Sequence, residues 1–407
     1  MTKKDIIEAA LRVWGRDFYR KTSLSRLAVA LKVSKPAIYR HFENKQALIS
    51  AMTDYFFEDF GASVKADFEK ALLMTEADEG IYLMIQGIAG YFARNVYSLL
   101  FALIKIYDLK TDEQTLSRRF RTQGADMLTL QRIIEKKYDI QATVMPLLYM
   151  TLIFFMSYFH KINNSFQKSP DSGQTRDIIL TINKLIKNGF DFPAEKINAI
   201  DFEELEKQVR GMRLDMELDP MFRAVAETVA EAGPWEASMD MVAKRVGLSK
   251  SSLYCHFRNK KDMLRKLFMS EFRRIIEFAR DGIKMSDNAA EQLYLGIFAI
   301  AVYLRSRPEI LVALGWIRTR KLDLGKPDKN LEIFRLFEDI EIETARKWDK
   351  EEKQRSSHWI LFLLINTLTR PFLSNRDWQA ASLKNNQNDD IRILYKLITL
   401  GLGGFTR

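Results

Sequence analysis

Side chains able to do chemistry are few among these 407 residues, and most chemistries fail on spacing. The four histidines, His41, His160, His256 and His358, are scattered, and no pair stands at the helix-face spacing of a metal site. Cys255 is the one cysteine, so neither an intramolecular disulfide nor a thiolate metal centre can form, and a reducing cytoplasm fits. No glycine-rich phosphate loop and no Ser/His/acid set in a recognisable context occurs. Neither catalysis, nor a metal, nor a cofactor is therefore expected. What does recur is a set of hydroxyl, cationic and aromatic side chains: Ser-Lys, then Tyr-x-His-Phe, then Asn-Lys. It occupies residues 34–45 and again 249–260.

Charge points the same way. The chain holds 63 Lys+Arg against 53 Asp+Glu, a net +10, with a pI near 9.3. An anionic partner such as nucleic acid needs that charge to be local. Residues 1–48 concentrate it in Lys3, Lys4, Arg12, Arg16, Arg20, Lys21, Arg26, Lys32, Lys35, Arg40 and Lys45, opposed by Asp5, Glu8, Asp17 and Glu43.

The elements that position these residues are helices. A composition 47% hydrophobic and 29% charged is that of a folded protein, long enough for two or more domains. With only 9 prolines and 18 glycines, long helices fit better than many short strands. Asp5, Glu8 and Arg12 interrupt the N-terminal apolar pattern, so this stretch is not expected to act as a signal peptide. The runs 144–159 and 359–373 are apolar but fall short of the ~18–20 residues of a membrane span. They read as buried or interface helices. The spacing also predicts long amphipathic helices near 112–137 and 328–350.

The chain repeats itself. Residues 22–49 return at 237–264 without a gap, pairing Ser23/Ser238, Ala28/Ala243, Ser34/Ser249, Lys35/Lys250, Tyr39/Tyr254, His41/His256, Phe42/Phe257, Asn44/Asn259 and Lys45/Lys260. A second echo, displaced by three residues, pairs Tyr82/Tyr294, Ile85/Ile297, Ile88/Ile300, Ala89/Ala301 and Tyr91/Tyr303. Within each copy, Thr22 or Ser23, and Ser238, can cap one short helix. Val33 and Leu248 plug a turn, and Ser34 and Ser249 open a second helix barely two turns long, with Pro36 in its first turn. Asn44 and Asn259 cap a third. This is the layout of a helix-turn-helix.

The run TSLxxLAxxLxVSKPAIYRHFxNKxxL resembles the DNA-binding domain of the tetracycline-repressor (TetR) family, and VGLSKSSLYCHFxNK resembles it again. The resemblance covers roughly residues 3–50 and 219–266. It implies an all-α fold of two TetR-like halves in tandem, arranged as a single-chain pseudo-dimer. Helix-turn-helix domains at 1–50 and 219–266 would be followed by helical regulatory domains at 51–192 and 267–407. A linker is placed at 193–218, and the join between the halves, if extended over 189–200 and helical over 201–213, would reach about 60 Å. The family's usual glycines are replaced by Phe18 and Lys32 in the first copy, whereas the second has Gly233 and Gly247.

The resemblance also assigns roles. Lys35, Pro36, Ala37 and Arg40, with Lys250, Ser251 and Ser252, would face base edges; Arg40 has become Cys255 in the second copy. Tyr39, His41 and Lys45, with Tyr254, His256 and Lys260, would hold the DNA backbone. Thr22, Ser23, Ser34, Ser238 and Ser249, at helix starts, complete the DNA-facing set. Phe42 and Phe257 belong to the core. An apolar effector pocket could draw on Tyr91, Phe101, Phe120, Tyr303, Trp316 and Phe334.

Two functions fit. One is a cytoplasmic, nucleoid-associated bacterial regulator, expected to be a repressor, that binds an asymmetric double-stranded DNA operator through two non-identical recognition helices and is released by a small molecule. The other is an interaction scaffold whose helix-turn-helix units have lost DNA. The two-headed chain predicts a monomer, with helices 144–159 and 359–373 lying in the two equivalent halves of a four-helix interface; a homodimer is the competing arrangement.

Overall fold

The computed structural model describes residues 1–16, 23–106, 113–126, 128–140, 144–162, 172–214, 219–236, 238–249, 251–253, 260–311, 314, 332–342, 348–374 and 388–406. Among them the fold is all-α, with no strand and one isolated antiparallel bridge, Tyr138 to Thr406. No described helix is long and apolar enough to cross a membrane. The chain forms two compact units: Met1–Gln141 with Thr151–Lys187 and Phe405–Arg407, and Ala142–Met150 with Asn188–Gly404.

The first unit opens with α1 (Lys3–Arg16), α2 (Leu24–Leu31) and α3 (Lys35–Tyr39). The long α4 (Lys45–Leu73) starts where Asn44 Oδ1 accepts from Ala47 N at 2.8 Å. Ile6, Ile7, Ala10, Leu11 and Trp14 recur at helical spacing on α1 and are buried, so α1 packs its apolar stripe on α2 and α4. Helix α4 leads into α5 (Ala77–Arg94), the helix it contacts most extensively, and then come α6 (Val96–Ile106), α7 (Glu113–Thr122) and α8 (Leu128–Ile134). The continuous helix expected near 112–137 is broken: Gly124 turns the chain at φ +86 between α7 and α8. The apolar run 144–159 lies within α9 (Val144–Ile162), and α10 (Ser172–Asn188) comes next.

The second unit takes up the connector and the second copy. Its helices are α11 (Ala194–Asn198), α12 (Phe202–Gly211), α13 (Pro220–Glu236), α14 (Met239–Arg245), α15 (Lys260–Ile283), α16 (Ala289–Arg305), α17 (Lys350–Ser374) and α18 (Asp389–Leu400). The helix expected near 328–350 is not there in the described part, which has a short 3-10 turn at Glu332–Arg335 and then irregular turns. Phe337 and Ile340 of the predicting pattern are nonetheless buried, so there the apolar spacing reported burial and not helical geometry. The extended stretch expected over 189–200 is also replaced. Phe190 and Phe192 donate their backbone N–H groups to the carbonyls of Ile398 and Thr399, at 2.8 and 3.1 Å, which satisfies carbonyls at the end of α18.

Candidate nucleic-acid interface

Each copy builds its turn the same way. Ser23 and Ser238 accept from the backbone of Arg26 and Met241, at 3.5 and 3.4 Å, and start α2 and α14. At the far end, Val33 N donates to Ala28 O at 3.0 Å and Leu248 N to Ala243 O at 2.9 Å. The residue between must turn left-handed: Lys32 at φ 55 in the first copy, Gly247 at φ 74 in the second. The missing glycine has therefore not changed the turn; lysine takes the same conformation at a steric cost. Ala28 and Ala243 are buried at the helix crossing. Val33 is half-buried, but Leu248 is exposed and does not plug its turn.

The next helices differ. In the first copy Ser34 stands at the N-cap without a side-chain cap bond, and Pro36 occupies the first turn of α3. In the second, Ser249 Oγ accepts from Ser252 N at 3.0 Å and lies 2.8 Å from Ser252 Oγ, at the start of the helical residues 251–253. The serine cap thus spends part of the hydrogen-bonding capacity of one candidate reading residue, Ser252, on Ser249.

In the first copy Ser34, Lys35, Pro36, Arg40 and Lys45 are exposed together, Ala37 and His41 are half-buried, and Ile38 and Phe42 are buried beneath. Tyr39 is 44% exposed, with Lys35 Nζ 5.8 Å from its ring centroid. That is a cationic surface with an aromatic plate, suited to a phosphate backbone. Arg26, which sequence reasoning left out of the site, is exposed on the first turn of α2. In the second copy Ser249 and Ser251 are exposed, and Ser238 and Ser252 half-buried. Thr22, Lys250, Tyr254, His256 and Phe257 lie outside the described residues, as does the side chain of Lys260. Arg245 there is committed to Glu227, at 3.1 Å, and to Glu231.

Both segments match the sequence profile of "Bacterial regulatory proteins, tetR family", at residues 6–52 and 223–267. The chain carries two tandem TetR-family helix-turn-helix units. The chain is 34% identical over 74 residues to the Fatty acid metabolism regulator protein of Bacillus subtilis (strain 168), covering 18% of this chain and 38% of that protein. It is 38% identical over 56 residues to the Uncharacterized HTH-type transcriptional regulator YuxN of the same organism, covering 14% and 19%. The chain thus spans well under half the length of both relatives. A solved TetR family transcriptional regulator, PfmR from Thermus thermophilus, superposes with a TM-score of 0.31 at 17% identity, over 45% of this chain and 95% of that one.

Beyond the tandem TetR units, the aromatic candidates of the first half converge. Tyr91 and Phe101 are buried and Phe120 is half-buried. Phe60 lies 5.1 Å from Tyr91 and 5.4 Å from Phe120, and Phe56 lies 6.0 Å from Phe101, as ring centroids. Tyr303 is buried in the second half, whereas Trp316 and the side chain of Phe334 lie outside the described residues. The sequence reading missed a polar pair beside each tyrosine. Tyr91 donates to Asp59 at 2.8 Å, and Tyr303 to Glu271 at 3.0 Å. Burial, then the neighbouring carboxylate charge, pushes both phenols above their ordinary pKa. The signal was available: Phe56/Phe268, Asp59/Glu271 and Phe60/Phe272 continue the later register of the repeat backwards.

Proposed function

We propose that this chain is a sequence-specific DNA-binding transcription regulator with two unequal reading heads, a repressor released by a small-molecule effector in the bacterial cytoplasm. Residues 1–50 and 219–266 are its DNA-binding domains, and 51–192 and 267–407 its helical effector bodies. The observation that carries this reading is the duplicated turn holding different side chains outward: exposed Pro36 in the first copy against exposed Ser251 in the second, with Arg40 exposed where the sequence of the second copy has Cys255. Arginine pairs bidentately with guanine, whereas serine is less selective, so the operator is asymmetric. The effector reading is supported by α4, which runs from the Asn44 cap into the Phe56–Phe60 cluster. A ligand entering that cluster bears on the helix that carries the reading head, and such coupling is reciprocal.

The test is binding of bulk genomic DNA across salt concentrations, followed by selection of a site from a random pool. Affinity should fall by about 0.9 log unit per log salt for each phosphate contact. The selected site should have two different arms, and the protein should sediment as a 47.5 kDa monomer at micromolar concentration. A perfect palindrome with a stable dimer would mean that two chains each use one motif. Salt-insensitive, negligible binding would leave the scaffold function instead.

A further inference from the structure

The connector between the two copies is built into the second unit. Helix α12 buries Leu205, Glu206 and Val209 and half-buries Phe202, the i, i+3, i+4, i+7 stripe of a docked amphipathic helix. Ten residues are too few to hold a helix alone in water, so α12 exists because it is docked. Its partner is α16, with α18 beside it. Phe202 lies 4.7 Å from Tyr294 and 5.8 Å from Tyr395, and the Arg392 guanidinium sits 5.7 Å from its ring. Arg210 in turn covers Phe298, at 5.6 Å.

At the centre is a buried carboxylate. Glu206 Oε1 accepts from Tyr294 Oη at 2.6 Å and from Arg392 Nε at 2.7 Å, while Oε2 accepts from Asn388 Nδ2. Burial acts to raise its pKa, but those donors outweigh it and hold the carboxyl below the usual range. The upstream end is pinned too. Gly189 has φ +57, and a Cβ there would stand 2.5 Å from Ile398 O, so no side chain fits. In the first unit the residues that correspond to Tyr294 and Phe298 by the repeat are Tyr82, half-buried, and Gln86, exposed. Phe298, where the first copy has Gln86, thus gives the second copy apolar surface under the connector helix.

Only residues 212–219 separate this dock from α13, the first helix of the second reading head, and they can span at most about 29 Å. On its other side that head runs into α15, which joins the body directly. We propose that α12 is a strap: docked on α16 and α18, it restrains the second helix-turn-helix from its N-terminal side, so that the head is held at both ends and presents its reading helix at a set distance. The consequence for DNA rests on the proposed DNA-binding function; the restraint itself does not.

The experiment inserts about ten Gly/Ser residues after Arg213, which lengthens the tether and leaves every α12 contact in place. In a Cys255→Ser background, spin labels at Lys244→Cys on the head and Asp389→Cys on α18 report their separation by pulsed electron resonance, without DNA. The unmodified tether should give a narrow distance distribution and the insertion a clearly broader one. A Leu205→Asp variant, which undocks α12, should broaden it as well. Unchanged widths in the insertion variant overturn the strap. On the selected operator, adding or removing one or two base pairs between the arms should weaken the native tether at least tenfold and the lengthened one less than threefold. Equal spacing penalties for both would also overturn it. If neither protein binds DNA, the regulator function fails, and the distance measurement still decides the strap.

Discussion

In the first half Tyr91 donates to Asp59, a half-buried acid, and Asn95 caps the end of α5 with its amide on Tyr91 O at 3.0 Å. In the second half Tyr303 donates to Glu271, which is buried, and Arg307 stands where the repeat has Asn95. Arg307 Nη1 meets Glu271 at 3.0 Å and its guanidinium lies 4.7 Å from the Tyr303 ring centroid. The equivalent pair is a half-buried hydrogen bond on one side and part of a buried ion pair on the other. A duplicated core thus tolerates a buried charge when its counter-charge arrives with it, and the two copies are then no longer interchangeable.

The largest effect should therefore fall on one side only. Glu271→Ala leaves the Arg307 charge buried, and should cost about 3–5 kcal/mol of stability in urea unfolding. Asp59→Ala removes one half-buried hydrogen bond and should cost about 1 kcal/mol. Equal losses at the two sites would mean that the halves have not diverged energetically.

The reading heads offer the next contrast. Arg40→Ala should weaken the selected operator by about 1–3 kcal/mol and relax base preference in one arm only. Lys45→Ala should weaken all sequences alike and lower the salt slope by about one, which titrations at several salt concentrations would separate from the first effect. Loss of preference in both arms on Arg40→Ala would mean that both arms are read by the same head.

Turn strain should give a smaller contrast of opposite sign. Lys32→Gly relieves a left-handed lysine and should add up to about 1 kcal/mol of stability, whereas Gly247→Ala should remove about as much, read as shifts in melting temperature. Should Lys32→Gly destabilise instead, lysine is held there by something other than the turn.

Acid should expose both halves together. Burial acts to raise the pKa of Asp78 in the first half, but hydrogen bonds from Lys187, Tyr138 and Lys137 outweigh it and bring it down to about 2. Glu206 is lowered likewise in the second half. A carboxyl whose folded pKa is depressed contributes stability that is complete above its unfolded pKa, near 4, and is lost as pH falls through the folded value. His160 acts higher: burial depresses its pKa, so its contribution is complete above about 6.5 and declines as the unfolded chain takes up the proton. Stability measured from pH 7 down to 2 should fall in those two stages, and Asp78→Asn should flatten the lower one.

The helical class, the duplication and the helix-turn-helix segments were legible in one dimension, because a repeated local pattern of caps, turns and apolar spacing is written in consecutive residues. Ser23, Asn44 and Ser238 cap as their types predict, and Ala28, Ala243 and Phe42 are buried. Folding in three dimensions settled what local pattern cannot. Phe337 and Ile340 continue a helical spacing but pack without a helix, because burial rewards the apolar face and not the hydrogen-bond geometry. Asp59, Glu206 and Glu271 read along the chain as ordinary solvated acids of amphipathic helices. Their partners Tyr91, Tyr294, Arg392 and Arg307 are 32 to 186 residues away. A carboxylate is made structural by the donors that surround it once water is excluded, and only the folded chain brings those donors to it.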